Sequence, residues 1–181
     1  IGIVVGIISS FAGGIGGAVV AALLGLFIDP ISSLLTANLY RQSAELGDPR
    51  GMNAWGYALS SSMGGVPRDD AQALAWYRKA AEAGYARAMA NLGEFIAAGR
   101  GGERADLAAA RRWYEKAVEA DDPLAKTYLG RWHEFGLGGL DKNEARALEL
   151  YRQAIAQGEP VAMLYLAYAY ANGRGVARSD A

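Results

Sequence analysis

The chain contains no cysteine and a single histidine, His133, in 181 residues. Disulfide staples and thiolate metal sites are therefore excluded. A metal site needs several converging ligands, and no second imidazole exists to help build one. Residues Ile1 to Ile28 also lack any charged side chain. Basic residues are not in excess: 18 Lys and Arg face 19 Asp and Glu, a formal net charge of −1. No general positive field attracts nucleic acid, and no nucleic-acid partner is expected. Proline is scarce, with five residues in all. Alanine is abundant and arginine far exceeds lysine, a composition that suits helices. The chain opens without Met and closes at Asp180-Ala181, and we read it as a piece of a longer protein.

The uncharged run is long enough to matter. A helix crosses a bilayer with about 20 apolar residues, and Ile1–Ile28 exceeds that. The hydrophobic region of a signal peptide is shorter, about 7–15 residues, and follows a basic segment. Residues 1–28 are thus expected to form a single transmembrane helix ending at Asp29-Pro30, because proline disfavours helical geometry in the residue before it. Small residues recur along it at every fourth position. Gly2, Gly6, Ser10, Gly14, Ala18 and Ala22 form one row, and Gly13, Gly17, Ala21 and Gly25 form another. In lipid such rows let helix backbones approach closely, so this helix is expected to pack on another membrane helix. The cluster Gly13-Gly14-Ile15-Gly16-Gly17 is not a dinucleotide turn, since Val19 stands where the third glycine belongs.

Beyond the run, a pattern repeats every 37 residues. Leu39-Tyr40, Trp76-Tyr77, Trp113-Tyr114 and Leu150-Tyr151 align. So do Gly47, Gly84, Asp121 and Gly158, and then Trp55-Gly56, Leu92-Gly93, Leu129-Gly130 and Leu166-Ala167. Loop glycines Gly64, Gly101, Gly138 and Gly175 follow, and a final column holds Asp69, Asp106, Asn143 and Asp180. Each column has a physical role. Asp69, Asp106 and Asn143 can accept from the unpaired N–H groups at a helix start. Pro49, Pro123 and Pro160 stand at first-turn positions, where no donor is lost. Gly47, Gly84 and Gly158 supply a left-handed residue that stops a helix. The pattern predicts first helices over 49–62, 86–98, 123–135 and 160–172, and second helices over 69–83, 106–120 and 143–157. An opening helix covers 31–46. Gly56, Gly93, Gly130 and Ala167 sit inside helices, where glycine costs about 1 kcal/mol; close contact with a neighbouring helix explains their recurrence.

The motif running A-x-x-x-L-G, then G-x-G-V-x-x-D-x-x-x-A-x-x-W-Y-x-K-A-A-x-x-G, resembles the Sel-one-like (Sel1-like) repeat, a relative of the tetratricopeptide repeat. Its best stretch runs from Gly65-Val66-Pro67-Arg68-Asp69-Asp70-Ala71 through Trp76-Tyr77-Arg78-Lys79-Ala80-Ala81-Glu82-Ala83-Gly84, and Trp113-Tyr114-Glu115-Lys116-Ala117 repeats it. The resemblance covers about residues 38–181. It implies an adaptor that assembles complexes, often in bacterial envelopes or at intracellular membranes. Leu150 in place of Trp, and Asp121-Asp122 in place of a glycine turn, depart from the pattern. The expected fold is all-α: a transmembrane helix over 1–28, a connecting helix within 29–48, and an α/α solenoid of antiparallel pairs over 49–181, its last unit incomplete. Leu164, Leu166 and Tyr170 of that unit are expected to lack a cover, because one pair cannot bury its apolar face alone.

No catalytic, cofactor or metal site is expected. His133 falls in the column of Leu59, Ile96 and Tyr170, which reads as packing. Asp69-Asp70 and Asp121-Asp122 fall at helix starts, where negative charge is favoured. Arg111-Arg112 reads as a solvated helix face. What remains is recognition by surface. Positions that differ between copies are free to be read by a partner, and on the first helices these are Asn53, Tyr57, Asn91, Glu94, Tyr128, Arg131, Tyr165 and Tyr168. They are expected to line a partner groove. The function that follows is a membrane-anchored scaffold or accessory subunit, not an enzyme, docked onto a larger membrane or envelope complex. Its partners are other protein subunits, membrane helices among them, and the lipid bilayer, with homo-oligomers possible. The alternative is a homo-oligomeric or secreted interaction protein whose glycine-rich segment inserts into a target membrane. No Arg or Lys lies between Asp29 and Tyr40. Basic flanks stay cytoplasmic, so the expected location is a bacterial inner membrane, single-pass, with the repeats on the periplasmic side.

Overall fold

A computed structural model describes residues 32–174. Eight α-helices fall among them: α1 over 32–45, then α2 (Pro49–Ser61), α3 (Asp70–Glu82), α4 (Ala86–Ala98), α5 (Leu107–Glu119), α6 (Pro123–Phe135), α7 (Glu144–Ala156) and α8 (Pro160–Ala171). A short 3-10 turn, Met63–Gly65, follows α2. No strand occurs among the described residues. The expected span over 1–28, with its rows through Gly2, Gly6, Ser10, Gly14 and Ala18 and through Gly13, Gly17, Ala21 and Gly25, lies outside them. None of the described helices is long and apolar enough to cross a membrane.

The helix ends form as the sequence columns dictate. Asp69 accepts from the Gln72 amide at 2.8 Å, Asp106 from Ala109 at 2.8 Å and Asn143 from Arg146 at 2.9 Å, capping α3, α5 and α7. Asp48 caps α2 and Asp122 caps α6, each just ahead of a first-turn proline. The turn column is left-handed throughout, with φ +88 at Gly47, +87 at Gly84 and +82 at Gly158. Asp121 takes the same turn at φ +63, so the departure from glycine leaves the architecture intact. Aspartate tolerates this region better than most side chains. Its carboxylate accepts from Gln157 at 2.7 Å and pairs with Lys126. Asp70, the other half of the first acidic doublet, pairs with Arg68 and Arg100 at 2.8 Å each.

The core is a repeated contact rather than a single centre. Tyr77, Tyr114 and Tyr151 of the second helices are fully buried, and each ring lies on the mid-helix glycine of the first helix in its own repeat. A Cβ at Gly56 would meet Tyr77 at 3.0 Å, at Gly93 Tyr114 at 2.7 Å, and at Gly130 Tyr151 at 2.9 Å. The glycine column therefore admits both an aromatic ring and, as expected, the backbone of the neighbouring helix, whose Ala73 and Ala147 carbonyl oxygens would lie 3.3 and 3.2 Å from a Cβ at Gly56 and Gly130. Phe95 and Trp132 meet Tyr77 and Tyr114 edge-on, with centroids 5.0 and 5.1 Å apart. On α8 Leu164 and Tyr170 are exposed among the described residues, whereas Leu166, expected to lack a cover with them, packs against Ala147, Leu148 and Tyr151 because its side of the helix faces α7.

From α4 onward neighbouring first helices touch directly, α4 with α6 and α6 with α8, whereas no comparable contact joins α2 to α4, α3 to α5 or α5 to α7. The array bends toward its first helices, and these line the inner curve. On the outer side Trp76 and Trp113 lie beneath Lys79 and Lys116, at 4.5 and 4.8 Å from ammonium to ring centroid.

Candidate functional site: the inner curve

The curve brings the expected groove residues together in two groups. Toward its start, Asn91 Nδ2 donates to Asn53 Oδ1 at 2.8 Å. This bond crosses between columns: Asn53 stands one position ahead of the column of Asn91, Tyr128 and Tyr165, whose member on α2 is Ala54. Tyr57 is exposed nearby and lines neither of the clefts described next. Further along, Glu94, Tyr128, Arg131 and Tyr165 border a cleft of about 370 Å³ whose apolar wall includes Leu107, Trp132 and Leu137. A second cleft of about 370 Å³ lies between α6 and α8, where Arg131, Tyr165 and Tyr168 meet Phe135 and Leu164. Arg131 and Tyr165 belong to both. The Arg131 guanidinium lies 5.2 Å from the Tyr165 ring centroid.

Not every member is free to be read. Tyr128 is half-buried, its ring 5.4 Å from Tyr114, and burial pushes its hydroxyl pKa above the usual tyrosine value. Glu94 is half-buried as well. Burial raises its pKa, opposed by Arg100 at 3.9 Å. Tyr77, beneath the curve, is pushed up to about 12 by burial, partly offset by a hydrogen bond with Ser60. None of these tyrosines titrates near neutrality, so their hydroxyls serve as hydrogen-bonding groups.

Two charged networks were not visible in the sequence columns. Arg87 on α4 donates from Nε to Asp122 Oδ2 at 2.8 Å and from Nη1 to Glu159 Oε2 at 3.2 Å. Both carboxylates are buried, and both cap helices, α6 and α8 respectively. One side chain thus ties three successive first helices at their N-terminal ends. The signal was an acid recurring at 48, 122 and 159, one residue before each first-turn proline. The second network holds Glu134, buried on α6, between the Tyr151 hydroxyl, which donates at 2.8 Å, and Arg174.

His133 shares its column with the buried Leu59 and Ile96 and is itself half-buried. Its Nδ1 is enclosed and has no hydrogen-bond partner. Burial, followed by the charge of Arg146, lowers its pKa below the ordinary 6.5, partly offset by a hydrogen bond with the Asp141 backbone and by the charge of Glu115. The folded state therefore holds a neutral imidazole, while the unfolded chain binds a proton first as pH falls through 6.5. His133 lowers stability as pH drops through that window and has no such effect above it. His133→Leu is expected to raise stability by about 1 kcal/mol at neutral pH, since an unpaired buried nitrogen gives way to apolar contact. It should also flatten the acid side of the melting-temperature profile between neutrality and the folded-state pKa. A profile unchanged by the substitution would place the proton elsewhere. Among the described residues no group of His, Cys, Asp and Glu is placed to hold a metal.

Stacked antiparallel helix pairs with a first-helix inner curve define a tetratricopeptide-like α-solenoid. The chain matches the Sel1 repeat family over residues 23–48, 49–85, 86–122, 123–159 and 160–181, and it belongs to that family. Sel1-repeat proteins are in general non-enzymatic scaffolds for protein–protein interaction. No curated protein matches the chain. Among solved structures it is similar to a Sel1 repeat protein from Oxalobacter formigenes, with 28% identity over 81% of this chain and 57% of that one and a TM-score of 0.70. It is similar to c5321, a protective antigen of uropathogenic Escherichia coli strains with the same repeat fold, at 29% identity over 81% and 31% of the two chains and a TM-score of 0.62. Helicobacter pylori cysteine rich protein B matches at 25% identity over 74% of this chain and 94% of that one, with a TM-score of 0.54. The chain thus spans 57% and 31% of the length of the first two.

Proposed function

We infer that the chain is a membrane-tethered interaction scaffold, an accessory subunit that holds protein partners on the inner curve of its solenoid. One contrast carries the reading. Core positions repeat from copy to copy, as in Tyr77, Tyr114 and Tyr151, whereas the inner-curve column reads Tyr57, Glu94, Arg131 and Tyr168. Packing calls for like residues at like places, and recognition calls for different ones. Tyr and Arg are also frequent anchors of protein interfaces. The tether is supported by the length and uncharged character of residues 1–28. Docking onto a helix of a larger membrane complex is supported by their small-residue rows. The sparse basic flank favours the periplasmic side of a bacterial inner membrane.

The test uses exposed positions only. Tyr128 packs on Tyr114, so its loss would disturb the core. Tyr57, Arg131 and Tyr168 are exposed, and replacing all three with alanine should shift melting by no more than about 3 °C. Partners recovered from gently solubilised membranes with the wild-type chain should be lost with the triple variant. Unchanged recovery would refute the inner-curve reading. Deletion of residues 1–28 should move the chain out of carbonate-washed membranes, and retention there would refute the tether.

A further inference from the structure

Arg131 stands where the two clefts meet and lines both. It is exposed, its guanidinium rests over the Tyr165 ring, and Nη1 donates to the Tyr165 hydroxyl at 3.3 Å. Along α4, α6 and α8 the other long cations are Arg87 and Lys126, and each has a carboxylate partner. Arg131 has none among the described residues. Glu94, the acid of the same cleft, lies 3.9 Å from Arg100. A guanidinium held on an aromatic face with Nη1 given to the Tyr165 hydroxyl still has N–H donors to spare, and guanidinium donors grip a carboxylate through parallel bonds. The walls on either side are mainly apolar, with Leu107, Trp132 and Leu137 in one cleft and Phe135 and Leu164 in the other, and the acid of the second, Glu134, is buried and engaged by Arg174 and the Tyr151 hydroxyl. Each cleft, at about 370 Å³, is more than large enough for a leucine- or phenylalanine-sized side chain.

We propose that Arg131 binds the side-chain carboxylate of an extended partner segment, and that a large apolar residue on each side of that acid fills the flanking cleft. The assignment rests on the inner-curve reading above. Because clefts lie on both sides of the guanidinium, the segment continues in both directions, and its acid is an internal Asp or Glu rather than a chain terminus.

A display library of random dodecapeptides, panned against the full 181-residue chain in detergent micelles, tests this directly. The enriched peptides should carry Asp or Glu between two large apolar residues. Measured by fluorescence anisotropy, Glu→Gln in the peptide and Arg131→Gln in the protein should each weaken binding roughly tenfold, and the two together no further. Arg131→Glu should instead select Lys or Arg at the same place. Enriched peptides without an acid, an acid preference that survives Arg131→Gln, or a library that yields no binder would overturn the proposal. So would binding lost on amidating the peptide's C-terminus. The peptide substitution needs no change in the protein, so the test stands even for a variant that folds poorly. Binders unaffected by both Tyr57→Ala and Tyr168→Ala would mark failure of the inner-curve reading. Binders weakened by Tyr168→Ala yet indifferent to Arg131→Gln would mark failure of the carboxylate assignment alone.

Discussion

Arg87→Met is expected to lower stability by about 2–3 kcal/mol and melting by roughly 6–10 °C. The reason is what it leaves behind. Asp122 and Glu159 are buried, with side-chain exposures of 6% and 7%, and Arg87 is the cation that faces both. Breaking a buried pair strands an uncompensated charge at a cost of about 3–5 kcal/mol. Arg87 itself is 32% exposed, so water screens part of the interaction and brings the expected cost to just below that range. The remedy distinguishes charge from packing. In the Arg87→Met background, Asp122→Asn and Glu159→Gln should restore most of the loss, because the amides keep an acceptor for the helix caps without a charge. Failure of that double change to restore melting, or a single variant that melts within about 2 °C of wild type, would show that the network does not hold the repeats together. The effect should also be local in space. Solenoid stability is close to a sum of neighbour terms, yet Arg87 reaches from α4 to the cap of α8. Amide exchange in α6 and α8 should therefore accelerate more than in α3.

A double-mutant cycle at Gly93 and Tyr114 should show a change of sign. Tyr114→Ala removes a fully buried ring and is expected to cost about 4 kcal/mol, a large share of the stability of an ordinary domain. Gly93→Ala alone sets two effects against each other. Helix propensity favours alanine by about 1 kcal/mol. The added Cβ would lie 2.7 Å and 2.9 Å from two ring atoms of Tyr114, and overpacking of this kind costs about 1–3 kcal/mol. The ring cannot yield, since Trp132 stands edge-on at 5.1 Å and Tyr128 at 5.4 Å. Strain should win, and Gly93→Ala should destabilise the wild-type protein. In the Tyr114→Ala background the obstruction is gone and only the propensity remains, so the same substitution should stabilise. Chemical denaturation of the four proteins reads the cycle directly. Gly93→Ala that stabilises both backgrounds, or neither, would mean the glycine column does not exist to admit the ring.

Most of the fold was legible because its determinants are local. Asp69, Asp106 and Asn143 cap the helices that the 37-residue register assigned to them. Predicted and observed helices agree to within a residue or two at each end, as with 86–98 against Ala86–Ala98. The groove was legible only in part. Glu94, Tyr128, Arg131, Tyr165 and Tyr168 do converge on two clefts, but comparison of copies could not tell that Tyr128 is occupied with Tyr114 or that Asn53 pairs across columns with Asn91. Glu134 was passed over because nothing near it in the chain predicts its bond from Tyr151 or its pairing with Arg174.

By itself the sequence determined the repeat length, the helix pairs, their caps and turns, and the separation of an uncharged N-terminal run from the charged array. These depend on spacings within one helix or one turn, where hydrogen-bond geometry and side-chain periodicity act over a few residues. Only the tertiary structure decided which columns face the inner curve, that the glycines admit tyrosine rings, and that Arg87 joins acids 35 and 72 residues away. The glycine–ring contact depends on how the two helices of one pair cross, and the other two depend on the small rotation from each repeat to the next, which accumulates over several units and is encoded in no single one of them.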